Sequence, residues 1–351
     1  MPKHLHFCKN CRNFALRKPL SNNCFRLSTF DFRLLTFDYN MNYKRILSWL
    51  LIIAAYGFLA YKIVTYDNYA ALAAQFRQAE WWQYLCLALC FMLFPANRFF
   101  ESWKWQYLLR NIEPMNLWEA QRQVYYGTIA GFVTPYKLGE YPGRALLLRN
   151  TESLWLTATC LGLIGGYAMT AVVVIMGLPA AMQRLSPDGS LLLNLILSLL
   201  GAILVIVGLP ALMRRLDRRS WKKERTALLI HSLAELTIAD GLVMMGISFL
   251  RYLCFLFQLW LCLRFCGVQL DPTSTLITLP LYWMMITITP NIPLAEIAVR
   301  GAWAAVIFEP FGEDLTAAAV IATMLLWTIN TLPPLLIGSI IGSRKAITPR
   351  E

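Results

Sequence analysis

The chain has 351 residues, 58% of them hydrophobic and only 15% charged, with twelve tryptophans and a mean hydropathy of +0.50. This composition excludes a soluble or disordered class and defines an integral membrane protein. The formal net charge of +12 would suggest a nucleic-acid partner for a soluble protein. Here the basic residues collect beside apolar runs (Lys44, Arg45; Arg214, Arg215, Arg218, Arg219, Lys222, Lys223, Arg225; Arg344, Lys345), as in cytoplasmic loops facing anionic lipid, and no nucleic acid is expected.

Residues 1–40 have no helical periodicity and no apolar run of signal-peptide length. They read as a disordered extension ahead of Met41, where MNYKRILSWLLIIAAYGFLAY has the look of a natural start. The other reading is a zinc site, because Cys8 and Cys11 form a C-x-x-C with Cys24, His4 and His6 nearby. Six more cysteines (Cys86, Cys90, Cys160, Cys254, Cys262, Cys266) lie in apolar segments, where cysteine is a small buried hydrophobe.

The integral domain is expected over 41–343, in halves of about 41–182 and 183–343, with 344–351 as a cytoplasmic tail. The lysine–arginine bias orients it. Lys44 and Arg45 hold the N-terminus inside, span 1 (46–65) leads out, and span 2 (81–97) returns past Asn97 and Arg98, the latter a secondary site candidate read more readily as snorkelling to the interface. ESWKWQYLLR, 101–110, follows, with Trp103 and Trp105 placed at the cytoplasmic interface. Segment 118–135 has too few apolar residues to cross, and a crossing would strand Lys137, Arg144 and Arg149 outside. A re-entrant half-helix turning at Thr134-Pro135 is predicted instead.

Span 3 (153–180) then leads out and span 4 (189–213) returns. Residues 226–240, with His231, Glu235 and Asp240, read as an amphipathic surface helix. Span 5 (241–267) carries Arg251 deep in its apolar run. Segment 274–289 enters from outside and stops at Thr289-Pro290, and span 6 (315–343) ends inside. The expected fold is an all-α polytopic membrane protein with six full transmembrane helices and two re-entrant helical hairpins.

The two difficult segments match each other. TPYKLGEYPGRALLL and TPNIPLAEIAVRGAWA both follow T-P-x(3-4)-[GA]-E-x(3)-R, giving Glu140 with Arg144 and Glu296 with Arg300. A spacing of four places each pair on one helix face. Two spans precede each hairpin and one follows, so the hairpins enter from opposite sides, the signature of an inverted-repeat transporter. The modest reading is that each pair neutralises itself so that a broken helix can exist. Charges at bilayer depth cost a few kcal/mol on insertion scales, however, and two such pairs beside helix breaks point to a polar pathway or headgroup site. Arginine suits phosphate through its planar fork, and backbone amides after Pro135 or Pro290 would add to it. Gly131, Gly139 and Gly143 permit close approach of a headgroup or a neighbouring helix. Trp283, Met284 and Met285 read as packing against lipid rather than as a cofactor box. No H-E-x-x-H, G-x-S-x-G or P-loop occurs, so neither enzymatic activity nor a cofactor is expected.

These strings, with SFLRYLCFLFQLWLCLRFCGV in span 5, resemble the lysylphosphatidylglycerol synthetase transmembrane-region, or flippase-like, family of bacterial membrane proteins over about residues 80–343. The resemblance implies a bacterial inner-membrane protein that moves or presents lipids. Some members are fused to a domain that aminoacylates phosphatidylglycerol; here the last span is expected to end near the chain's end, so no synthetase domain is anticipated. Pro293 and Ala295 stand where a double glycine is commoner in the family. Carried over by position, the substrate-binding candidates are Thr134, Pro135, Gly139, Glu140 and Arg144, with Pro290, Glu296 and Arg300; Arg251 joins them from its place in span 5. The leading expectation is a translocase for a membrane lipid or lipid-linked intermediate that binds an anionic headgroup. The alternatives are a non-transporting accessory protein that works with envelope-biosynthesis proteins, and an intramembrane lipid-modifying transferase.

Overall fold

The computed structural model describes residues 79–134, 137–149, 151–185, 236–289 and 295–347, with positions 57, 61, 64, 77, 190, 193, 196, 200 and 215. The N-terminal extension with its cysteines and histidines, most of spans 1 and 4, and residues 226–235 lie outside the described residues. So do Pro135, Pro290 and Pro293.

Every described element is helical. In chain order these are α1 (Trp81–Leu109), α2 (Leu117–Val133), α3 (Glu140–Ala145), α4 (Thr151–Leu185), α5 (Ile238–Phe265), α6 (Pro272–Ile288), α7 (Glu296–Phe308) and α8 (Glu313–Ile347), with a 3-10 turn at Glu309–Phe311 before α8. Among the described residues four helices, α1, α4, α5 and α8, are long and apolar enough to cross a membrane. At 1.5 Å per residue the 29 residues of α1 reach roughly 44 Å, beyond a hydrocarbon core of about 30 Å. The 17 residues of α2 and of α6 reach only about 26 Å, and each stops at the threonine named above.

Local chemistry explains the starts. Asn116 accepts the Glu119 N–H while Glu119 reaches back to the Asn116 N–H, a capping box that opens α2. Thr237 and Asp240 do the same for α5. Asp271 caps α6 and Pro272 occupies its first turn, where a missing N–H costs nothing. The residues from 226 to 240 were expected to form a surface helix leading into span 5; its last residue, Asp240, instead belongs to α5 and binds Arg110 at 2.5 Å and the Tyr107 hydroxyl at 2.7 Å.

A second correction concerns 101–110. Residues up to Leu109 continue α1 as one helix, with Glu101, Ser102, Lys104 and Trp105 all buried in the protein, where Trp105 was placed at the interface. Trp105 donates to Gln123 at 2.6 Å inside the protein, while Trp103 stays on the outer face. Arg98 likewise turns inward, donating to the Asn330 carbonyl at 2.7 Å. Helical phase is the reason: Asn97, Glu101 and Lys104 recur at four and three residues and share the buried face.

α1 and α5 pack side by side and antiparallel. Gln83 donates to the Phe265 carbonyl, Gln258 to the Cys90 carbonyl, Arg251 to Asn97, and Arg110 pairs with Asp240; as one number rises the other falls. The neighbour relations have a further property. Exchanging α1 with α5, α2 with α6, α3 with α7 and α4 with α8 carries the packing pattern onto itself: α4 rests on α6 as α8 rests on α2, and α3 on α4 as α7 on α8. Large apolar side chains, among them Leu85, Met92, Leu253, Phe257, Leu336 and Ile340, remain on the outside. In water such a surface would be an aggregation site; in a bilayer it is the lipid-facing belt.

α2 and α3 approach closely through glycine. A Cβ at Gly143 would lie 2.6 Å from the Ala130 Cβ, and one at Gly139 2.5 Å from the Ala130 carbonyl oxygen. Of the two roles foreseen for these glycines, the structure shows approach of a neighbouring helix. Gly143→Val is expected to destabilise the fold by about 1–3 kcal/mol through overpacking, read as a lower melting temperature in detergent; the same change at Gly246, which has open space around it, is the comparison and should shift it far less.

Candidate functional site

The two helix breaks are built alike. The Thr134 hydroxyl donates to the Ala130 carbonyl at 2.9 Å and accepts the Gly139 N–H at 2.7 Å. The Thr289 hydroxyl donates to the Met285 carbonyl at 2.7 Å and accepts the Trp303 indole N–H at 2.8 Å. In both, threonine bonds its own last turn and holds a donor from beyond the break, so backbone groups freed by the interruption are partly satisfied without water. The helix that follows begins with glutamate, Glu140 in α3 and Glu296 in α7, and carries arginine one turn later. An acidic first turn suits the positive end of a helix, so the helix starts expected to bind an anion are already matched by the protein's own carboxylates.

Two charge clusters result. In the first, the buried Glu101 carboxylate takes Arg144 at 2.8 Å on one oxygen, and Arg251 at 2.5 Å with Lys104 at 3.1 Å on the other. Arg144 uses its second amino group on Glu140 at 2.5 Å and lies among the rings of Tyr141 and Trp105, 4.7 and 5.5 Å from their centres. In the second, one Glu296 oxygen receives Arg300 at 3.0 Å and Lys137 at 3.1 Å. Lys137 comes from the first break and Glu296 from the second, so this ion pair bridges the halves across 159 residues of sequence. Lys137 sits at φ 55, a left-handed conformation that a long side chain rarely adopts and that the surrounding ion pair helps hold.

Between the clusters lies a cavity of about 130 Å³, lined by Arg98 of α1, Thr128 and Phe132 of α2, Lys137, Glu140 of α3, Arg251 and Phe255 of α5, Trp283 of α6, Glu296 and Arg300 of α7, and residues 326, 327, 330 and 331 of α8. Arg251 is near the middle of the 28-residue α5, roughly 20 Å from either end. The cavity therefore lies near mid-height of the helix bundle and is partly open, with Lys137 at its exposed side.

The candidates from sequence divide accordingly. Glu140, Glu296, Arg300 and Arg251 line the cavity. Arg144, only 1% exposed, lies behind it and holds Glu140. Thr134 and Gly139 shape the first break. The residues that sequence reasoning missed are Glu101, which joins α1, α3 and α5, and Lys137, which was not among the site candidates. Arg98, a secondary candidate read more readily as snorkelling, is a cavity wall, and so is Trp283, which is buried in the protein where packing against lipid was expected. Arg149 remains at the surface, paired with Glu119 at 2.7 Å. A polar stripe at 97, 101 and 104 on an otherwise apolar helix was the signal that could have found Glu101.

A helical membrane protein with a charged cavity beside two helix breaks is the class that this fold and site define. The chain belongs to the family described as lysylphosphatidylglycerol synthase TM region, whose model matches residues 45–338. That membership makes it a multi-pass membrane protein related to lipid handling. No curated protein and no solved structure matches the chain.

Removing one partner of a buried ion pair leaves the others uncompensated, at a cost of about 3–5 kcal/mol. Glu101→Ala strands Arg144, Arg251 and Lys104 together, so its melting temperature in detergent should fall steeply. Arg149→Ala breaks an exposed pair, and it should melt with the parent protein.

Proposed function

We propose that this protein is a translocase for a membrane lipid or lipid-linked intermediate, a transporter rather than an enzyme, working in the bacterial inner membrane with both termini in the cytoplasm. The observation that carries this reading is the cavity itself: cations and carboxylates from both halves line one partly open space at mid-bundle, where a charge costs most and a merely structural fold would have used leucine. Arg300, Arg251, Arg98 and Lys137 hold an anionic headgroup through forked or single charge-assisted hydrogen bonds. Glu140 and Glu296 keep these cations oriented, and Arg144 and Glu101 fix Glu140 and Arg251 from behind. The acyl chains stay in lipid beside the apolar belt.

The topology proposed is six full spans with two re-entrant hairpins, α2 with α3 and α6 with α7, arranged as an inverted repeat. Its support is the shortness of α2 and α7, the antiparallel packing of the equivalent helices α1 and α5, and the packing pattern that maps onto itself when the halves are exchanged. Alternating access then consists of one half rocking against the other about the cavity. The Lys137–Glu296 pair is the contact that such a movement makes and breaks.

Two measurements test these statements. Cysteines introduced at Asn116 and Asp271, the outer ends of α2 and α6, are expected to react with impermeant reagent from the cytoplasmic and the opposite side respectively; labelling of both from one side ends the inverted-repeat reading. In liposomes carrying fluorescent anionic lipid, the protein should accelerate leaflet exchange, Arg300→Ala and Arg251→Ala should lose most of that rate, and Lys137→Glu with Glu296→Lys together should recover part of what either loses alone. Exchange at the protein-free rate for every lipid class tried would rule translocation out and leave the accessory role.

A further inference from the structure

Among the described residues four cationic side chains line the cavity, Arg98, Lys137, Arg251 and Arg300, against two carboxylates, Glu140 and Glu296. The wall thus carries two more positive charges than negative ones. The layer behind does not cancel the surplus, because Glu101 faces Lys104 as well as Arg144, which adds one cation more. Arg98 stands apart from the others: it has no carboxylate within ion-pair distance among the described residues, it bonds one backbone carbonyl, and its Nε has no partner. Trp283 and Trp327 on the same wall also carry unpartnered indole N–H groups, and Glu296 and Asn330 an unpartnered acceptor oxygen each, all buried behind the cavity surface.

A surplus of cations at this depth in the bundle is costly unless something negative joins it. A phosphodiester headgroup brings one charge and leaves the wall still positive. A phosphomonoester carries about −1.5 to −2 at neutral pH with three strong acceptor oxygens, which offsets the two surplus charges of the wall and leaves only the one cation of the layer behind. The space is adequate: by the same measure one water needs about 10–15 Å³, so 130 Å³ takes a phosphate group and a few waters. Phe132, Phe255 and Leu326 on the same wall offer an apolar side to what the phosphate is attached to.

We infer that the headgroup taken by this site is the dianionic terminal phosphate of a lipid phosphomonoester. The inference rests on the reading of the cavity as a headgroup site. It narrows that reading to one charge class.

The test is competition binding to the full chain in nanodiscs at pH 7.5, using phosphatidate, phosphatidylglycerol, phosphatidylcholine and, as a soluble phosphomonoester without acyl chains, glycerol 3-phosphate. Phosphatidate should bind roughly tenfold or more tightly than phosphatidylglycerol, as expected for one extra charge in a partly desolvated site. Arg98→Gln should collapse that ratio, and Arg98→Lys, which keeps the charge, should retain it even if the neutral variant fails to fold. Equal affinity for the two anionic lipids overturns the phosphomonoester assignment while leaving an anionic-headgroup site standing. Glycerol 3-phosphate binding as tightly as phosphatidate overturns the lipid source. Indifference between anionic lipids and phosphatidylcholine overturns the headgroup reading as well.

Discussion

The Glu101 carboxylate is the interaction on which the site depends. It binds Arg144 from the first broken helix, Arg251 from the middle of α5 and Lys104 from its own helix, all within a bundle whose outer face is apolar. Because neither water nor mobile ions reach it freely, each cation's position is set by geometry rather than by screening. Three helices are thereby held in register at the depth of the cavity.

From that point the arrangement follows outward. Arg144, held by Glu101, holds Glu140 in turn, and Glu140 lines the cavity on behalf of the first half. The second half has a simpler device, in which Glu296 takes Arg300 from its own helix and Lys137 from the other half. The breaks are stabilised in the same manner on both sides by a threonine hydroxyl, yet the charges beyond them are used differently. Symmetry of backbone with asymmetry of charge lets one half be braced firmly while the other is joined across a partly exposed ion pair.

The helical membrane class and the spans at α1, α4, α5 and α8 were legible from apolar length alone, because lipid demands long runs with internally satisfied backbones. The breaks at Thr134 and Thr289 were legible too, since shortness, threonine-proline and a glutamate–arginine spacing of four coincide there. The role of 101–110 was not. Its tryptophans and charges resemble an interfacial segment by composition, and only its phase relative to Asn97 would have turned Glu101 and Lys104 inward. Lys137 was hidden for another reason: its partner is in the other half of the chain, and no local pattern encodes a contact across 159 residues.

Sequence by itself determined that this is a multi-pass helical membrane protein, that two helices in it are interrupted, and that each interruption is followed by a glutamate and an arginine on one face. Those are consequences of hydropathy, proline chemistry and helical period, which act over a few residues. Tertiary structure decided which charges share a cavity. It set Arg300, Arg251, Arg98 and Lys137 around one space and withdrew Arg144 behind Glu140, because which face of each helix turns inward is settled by packing against helices far away in the chain.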